Sequence, residues 1–202
     1  MFVLGHAGIS IGAAALLDKA VGKLHPACQS DSSRVSFLSR VDLRVLAIGS
    51  LLPDILDKPI GLMILRDKLG TGRIFCHSLL FLALLSIAGS WLFRRSGRTW
   101  LLVLAAGALS HLVLDGVWTS HRTLLWPAFG FSFPRSAEPN GISQYWHNLK
   151  ALPRAYGPEI IGGLILAWLG LLAIARRQTL SLLRYGRFPD GNRPQRVSRE
   201  EV

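Results

Sequence analysis

Histidine and aspartate side chains recur in segments of this chain that are otherwise apolar. The stretch SHLVLDGVW places His111 and Asp115 four residues apart, on one face of a helix and about 6 Å apart along its axis. Asp54 and Asp57, in LLPDILDKP, are three residues apart and are neighbours in the same sense. An ionisable side chain near the centre of a membrane helix costs about 2.5–3.5 kcal/mol, so these residues predict a functional site.

Imidazole nitrogens and carboxylate oxygens together are a ligand set that divalent metal ions prefer. A bound cation would also offset the charge of carboxylates placed in a medium of low dielectric constant. The sequence therefore predicts a metal site, with zinc the expected ion and manganese or magnesium as alternatives. The expected ligands are His6, Asp54, His77, His111 and Asp115.

Two further residues are expected to act in catalysis at such a site. A metal ion lowers the pKa of water toward about 7, which provides a nucleophile at neutral pH. Asp57, three residues from Asp54, is placed to accept the proton of that water, and Arg73 to stabilise charge on a phosphoryl or carbonyl oxygen.

Each of these residues also has a purely structural interpretation. A single His-x-x-x-Asp pair on an apolar helix is more often an interhelical hydrogen bond than a pair of ligands. Asp54, after Pro53, is equally suited to cap a helix, and Ser78 is suited to cap the helix that follows His77. For His6 a structural role near the membrane interface is as well supported as ligation.

The composition indicates an integral membrane protein. Half of the 202 residues are hydrophobic and 17% are charged, and the mean hydropathy is +0.36, too apolar for an ordinary soluble domain. The sequence predicts an all-α integral membrane bundle of four to five helices, each near the roughly 20 residues that span a bilayer. The segments are Met1–Leu17, Val45–Leu65 (interrupted by prolines and charges), Ile74–Phe93, Trp100–Trp118 and Pro158–Ala175.

The distribution of basic residues predicts the orientation. If all five segments cross, one side carries five Lys and Arg in 18–44, three in 94–98 and seven from 176 onward, fifteen in all, against seven on the other side. The positive-inside rule then places the N-terminus outside and the C-terminus in the cytoplasm. All the metal-ligand candidates fall in the outer membrane half. Because the basic residues lie between and after apolar runs, we expect the lipid bilayer and no nucleic acid as partner.

The rest of the sequence contributes few further candidate functional residues. We expect one membrane-embedded domain, residues 1–185, and a disordered basic tail, residues 186–202. The two cysteines, Cys28 and Cys76, give no disulfide framework. His25, His121 and His147 are expected to be solvated loop residues. Trp126 and the proline after it are expected to anchor the chain at the membrane interface, with a role as a pocket wall as the alternative.

Five motifs carry a resemblance to a known family. GHAGISIGAAALLDK, GSLLPDILDKP, GRIFCHSLLF, GALSHLVLDGVW and LLWPAFGF occur in this order within residues 1–131. The ordered set resembles the membrane-bound metal-dependent hydrolases, also described as LexA-binding, inner-membrane-associated hydrolases. The family pattern falls on His6, Asp54, Asp57, His77, His111 and Asp115. Two positions depart from it, because the second acid is one residue later than usual and Gly72 replaces the first histidine of a His-Arg-Gly-x-Thr-His-Ser motif.

The resemblance implies a metal-dependent hydrolase in a prokaryotic inner membrane. The motif order is also similar to that of zinc-dependent phospholipase C, which implies a phosphoester substrate by analogy. We expect an ester or phosphoester of a lipid-linked substrate, because the site is predicted near the outer interface. The alternative is a non-enzymatic membrane protein, transporter-like or regulatory, whose His and Asp residues form a proton relay or polar network.

Overall fold

Every regular secondary-structure element in the described part of the chain is a helix. A computed structural model describes residues 3–24, 41–65, 68–134 and 153–187, and no strand occurs among them. This confirms the predicted all-α bundle. The helices are α1 (Val3–Leu24), α2 (Leu43–Pro59), α3 (Leu79–Ser96), α4 (Trp100–Leu114), α5 (His121–Leu124), α6 (Pro153–Ala175) and α7 (Thr179–Tyr185).

Several helix ends differ from the predicted ones. The segment Phe75–His77 forms a separate 3₁₀ turn, and α3 begins after Ser78, whose Oγ accepts a hydrogen bond from the amide of Phe81. The predicted capping role of Ser78 is thereby confirmed. The fourth segment ends at Leu114 and continues as a turn, and Pro158 lies inside α6 and not at its start.

The second segment runs through its two prolines. Helix α2 begins at the N-cap residue Asp42, so the alternative that Asp54 is an N-cap is wrong. After Pro59 the chain continues as a π-helical turn, Ile60–Ile64, an element that often occurs near functional sites. Gly61 contacts the carbonyl of Thr71 so closely that a Cβ would overlap it. This contact folds the chain back toward the end of α2.

Glycines allow the central helices to approach each other. Helix α2 packs against α4, α1 packs against both α2 and α6, and α3 packs against α4. A Cβ at Gly49 would overlap the backbone of Leu104, and one at Gly107 would overlap that of Leu46. The α2–α4 contact therefore depends on residues without side chains. A cluster of buried apolar residues from α1, α4 and the beginning of α2 forms the core between these helices: Ile11, Ala14, Val41, Leu43, Leu46 and Val103.

The directions of the helices define two ends of the bundle. Helices α1 and α6 start together, where the amide of Gly5 donates to Oε1 of Glu159. Helix α3 also starts at this end, and α2 and α4 terminate there. We call it the site end. At the opposite end, Leu43 donates its amide to the carbonyl of Gly186, which fastens α7 to the start of α2.

Among the described residues, two helices are long and apolar enough to cross a membrane, Leu79–Ser96 and Tyr156–Ala175, and α4 is a shorter apolar helix. Most of their large apolar side chains are exposed, among them Leu84, Ile87, Leu164 and Leu171. An outward-facing apolar surface of this extent suits lipid. Of the predicted tail, residues 186–202, the structure describes only residues 186 and 187.

Candidate metal centre

Asp57 lies at the base of the site and is fully buried. Its carboxylate accepts hydrogen bonds from the backbone amides of Ile74, Cys76 and His77, at 2.9–3.2 Å. Its Oδ2 also lies 2.7 Å from Nδ1 of His77. A buried carboxylate needs such donors to offset the loss of water. Asp57 therefore ties the end of α2 to the 3₁₀ turn before α3 and holds His77 in one orientation.

His111 is held by the close contact between α2 and α4. It lies one turn after Gly107, whose missing side chain lets α4 reach the backbone of Gly49 and Ser50. Its Nδ1 lies 2.7 Å from the carbonyl oxygen of Ser50. A carbonyl can only accept, so Nδ1 of His111 carries the proton and donates it.

The two histidines direct their remaining nitrogens at each other. Nε2 of His77 and Nε2 of His111 are 3.2 Å apart, and both residues are fully buried. In a neutral histidine with its proton on Nδ1, Nε2 has an unshared electron pair. The partners Asp57 and Ser50 thus leave both Nε2 atoms available as ligands, an arrangement typical of metal-binding histidines.

Two carboxylates complete a four-residue group. Oδ1 of Asp54 lies 3.7 Å from Nε2 of His77 and 3.8 Å from Nε2 of His111, and Oδ2 of Asp115 lies 4.0 Å from Nε2 of His77. One ligand atom from each of Asp54, His77, His111 and Asp115 lies within 4.8 Å of the others. Four ligands at about 2.0–2.2 Å around one tetrahedral ion stand roughly 3.4 Å apart, so this donor set fits a divalent cation after small side-chain shifts.

His6 lies next to this group. Its Nε2 is 3.3 Å from Oδ1 of Asp115, and its ring stacks on that of His111 with centroids 4.1 Å apart. It is fully buried, and neither of its ring nitrogens makes a hydrogen bond of good geometry with a described residue. The structure therefore brings His6 to the site as a neighbour of Asp115.

Two cations border the group on its more exposed side. Nζ of Lys58 lies 2.6 Å from Oδ2 of Asp54, and a terminal nitrogen of Arg73 lies 2.9 Å from Oδ2 of Asp115. The side chains of Lys58 and Arg73 are 44% and 45% exposed, whereas Asp54 and Asp115 are 15% and 6% exposed. Arg73 is among the residues predicted from the sequence, and Lys58 is not. The spacing of four residues between Asp54 and Lys58 is nevertheless typical of an ion pair on a helix.

Cys76 lies beside the site without joining it. Burial, together with the carboxylate of Asp57, raises the pKa of its thiol to about 12. The group of four consists of histidine and aspartate alone.

The other sequence candidates lie elsewhere. His121 is exposed at the start of α5, as expected for a solvated histidine, and His25 and His147 lie outside the described residues. Trp126 packs against Phe75, Phe131 and Phe133, with ring centroids 5.1–6.2 Å apart. Through Phe75, this aromatic cluster packs against the 3₁₀ turn that contains His77.

The fold and the site define a class: an all-helical membrane bundle with a buried His/Asp group at one end. The profile of the YdjM inner membrane protein family matches residues 1–182, and the chain belongs to this family. The resemblance to an inner-membrane family is thus confirmed, and the hydrolase activity that it implies stays a prediction. Neither a curated protein nor a solved structure matches the chain.

Proposed function

We propose that the protein is a metal-dependent hydrolase of the inner membrane. The expected ligands of its ion are Asp54, His77, His111 and Asp115, with zinc the expected metal and a fifth coordination position for water. The observation that carries this proposal is the pair of Nε2 atoms 3.2 Å apart, in two rings whose Nδ1 atoms face Asp57 and the carbonyl of Ser50. Two such nitrogens facing two carboxylates repel one another unless a cation lies between them.

The residues around the group supply the remaining functions. A divalent ion supplies a Lewis acid that acidifies water and polarises a phosphoryl or carbonyl oxygen. Arg73 remains the proposed stabiliser of charge on the substrate oxygen, because its guanidinium has donors beyond the one that faces Asp115.

The contacts of Asp57 favour a positioning role. Its two oxygens are occupied by three backbone amides and by Nδ1 of His77, and its side chain is fully buried. We therefore propose that Asp57 orients His77. Asp54 remains a proposed ligand, because its Oδ1 faces both Nε2 atoms while Lys58 contacts its Oδ2. His6 is proposed to orient Asp115, with direct ligation as the alternative.

The orientation of the bundle supports action on the outer side. Most basic residues of the described part lie in or next to helix ends on the side opposite the site: Lys19, Arg44, Arg94, Arg95, Arg98, Arg176, Arg177 and Arg184. Under the positive-inside rule this end faces the cytoplasm and the site end faces outward.

Elemental analysis of detergent-purified protein, followed by a panel of phosphoester and carboxylic ester substrates, tests the proposal. We expect about one divalent ion per chain, and hydrolysis that a chelator removes and the metal restores. His121→Ala is the matched control, because His121 is exposed and is not a member of the group. Full hydrolytic activity without metal, or absence of both metal and activity, overturns the proposal.

The short distance between the histidines also favours a second function. If one histidine is protonated on both nitrogens, His77 and His111 form a direct hydrogen bond at 3.2 Å. Asp57, His77 and His111 then make a buried proton-sharing chain, as in membrane proteins that move protons. Such a protein would bind no stoichiometric metal, so the elemental analysis separates the two functions.

A further inference from the structure

An apolar groove runs along one side of the bundle. It lies between α1, α2 and α4 and encloses a cavity of about 410 Å³. Its lining on α1 extends from Ile9 to Leu17, about 12 Å along the helix axis. The lining side chains are apolar apart from Ser10 and Ser110, whose hydroxyls bond to each other at 2.6 Å. The groove thus offers an apolar chain no unpaired polar group along its length.

One mouth of the groove adjoins the site. Leu114 lines the groove, and the next residue is Asp115 of the candidate metal centre. On the facing helix, Ile9 and Ser10 follow His6 by about one turn. Val113 and Leu109, on the outer side of α4, are 50% and 49% exposed, so the groove is open to the surrounding lipid.

The charges at this mouth suit an anion. Lys58 and Arg73 lie on two sides of the group and are about half exposed. Each has donors beyond the one that contacts its aspartate. Together with a divalent ion, they outweigh the three carboxylates Asp54, Asp57 and Asp115, so the local field attracts negative charge. A phosphoryl group, with several acceptor oxygens, matches donors on two sides.

We propose that the substrate is a phosphate-bearing lipid, with its phosphoryl group between Lys58 and Arg73 and an acyl chain in the groove. This inference rests on the proposed hydrolase function for its chemistry. With phosphatidic acid, the oxygen of water forms a new bond to phosphorus, and the bond from phosphorus to the glycerol oxygen breaks. One proton of the water goes to the departing oxygen, which gives diacylglycerol and inorganic phosphate.

The first test measures binding, without turnover. The purified protein is titrated in detergent micelles with fluorescent phosphatidic acid and with diacylglycerol of the same acyl chains. We expect phosphatidic acid to bind at least about tenfold more tightly, because its headgroup adds charge-assisted contacts. Lys58→Ala combined with Arg73→Ala should abolish this preference. Equal binding of the two lipids by the unmodified protein overturns the proposal.

The second test fills the groove. Ala106→Trp places a large side chain among the lining residues of α4. Its matched control is Ala88→Trp, at an exposed alanine on α3 away from the groove. We expect Ala106→Trp to weaken phosphatidic acid binding by about tenfold or more, because each displaced methylene group costs about fourfold in affinity. Ala88→Trp should bind as the unmodified protein does.

Ala13→Phe, which enters the groove from α1, repeats the test if Ala106→Trp does not fold. If both groove variants fold and bind phosphatidic acid as tightly as Ala88→Trp, the groove is not the acyl site.

Hydrolysis separates failure of this inference from failure of the proposed function. The rate on phosphatidic acid is compared with that on p-nitrophenyl phosphate, a water-soluble phosphate ester without an acyl chain. We expect the ratio of kcat/KM for the two substrates to fall about tenfold in Ala106→Trp and to stay constant in Ala88→Trp. Metal-dependent hydrolysis of the soluble ester with no preference for the lipid leaves the hydrolase standing and refutes the lipid substrate.

Discussion

Nε2 of His77 lies 3.2 Å from Nε2 of His111, although 34 residues separate them in the chain. One ring is oriented by the carboxylate of Asp57 and the other by the backbone carbonyl of Ser50. The rings are therefore set by two different elements, the fold-back after α2 and the α2–α4 contact. Because neither ring depends on the other for its position, the two nitrogens can face one ion.

Removal of either histidine should remove the metal. We expect His77→Ala and His111→Ala each to lose most of the bound ion, because three ligands from a set of four make a poor site. Metal content per chain, measured by elemental analysis after gel filtration, checks this. The control variant His121→Ala, which changes an exposed residue, should keep its full metal content. Metal loss in the control, with retention in the other two variants, would mean that the site lies elsewhere.

Substitution of Asp57 distinguishes positioning from proton transfer. Asp57→Asn keeps the shape but replaces one accepting oxygen by an NH₂ group that faces backbone donors. We expect metal affinity to fall about 10- to 100-fold, the usual effect of losing a residue that orients a ligand. Competition with a chromophoric chelator measures it. Unchanged metal affinity with turnover lowered about 100-fold would instead make Asp57 the proton acceptor.

The sequence predicted the members of the site better than their contacts. Periodicity and charge placed Asp54, His77, His111 and Asp115 at the same end of the bundle, and the structure brings the four together. From their spacing alone, Asp54 and Asp57 were expected to face the same site. The structure separates them, because Asp57 faces backbone amides of residues 74–77, and backbone donors leave no signal in a sequence.

Helix ends were less predictable than helix identity. Hydropathy does not mark where the 3₁₀ turn of Phe75–His77 gives way to α3, since both are apolar. The short helix α7 was missed, because seven residues at the end of a basic segment show little periodicity. The α2–α4 contact was also invisible, since nothing in the sequence pairs Gly49 with Gly107.

The α2–α4 contact should therefore be sensitive to a single methyl group. Gly107→Ala places a Cβ against the backbone of Leu46, Gly49 and Ser50. Overpacking of this kind costs about 1–3 kcal/mol, and it also moves His111 away from the carbonyl of Ser50. We expect a lower thermal midpoint together with weaker metal binding.

Gly170→Ala is the control for this change, because a Cβ at Gly170 meets no atom of the described residues within 4 Å. An alanine there should be neutral or stabilising by up to about 1 kcal/mol, since alanine favours the helix over glycine. A Gly107→Ala protein as stable and as metal-loaded as Gly170→Ala would show that the close approach is dispensable.

The orientation in the membrane can be tested at both ends of the bundle. The excess of fifteen basic residues over seven predicts that the C-terminal side lies in the cytoplasm. Green fluorescent protein fused after Val202 should therefore fluoresce, and alkaline phosphatase fused there should be inactive. His121→Cys, at the site end, should react with a membrane-impermeant maleimide added to intact cells. Active alkaline phosphatase at residue 202, with no labelling at 121, would reverse the bundle and place the candidate metal centre on the cytoplasmic side.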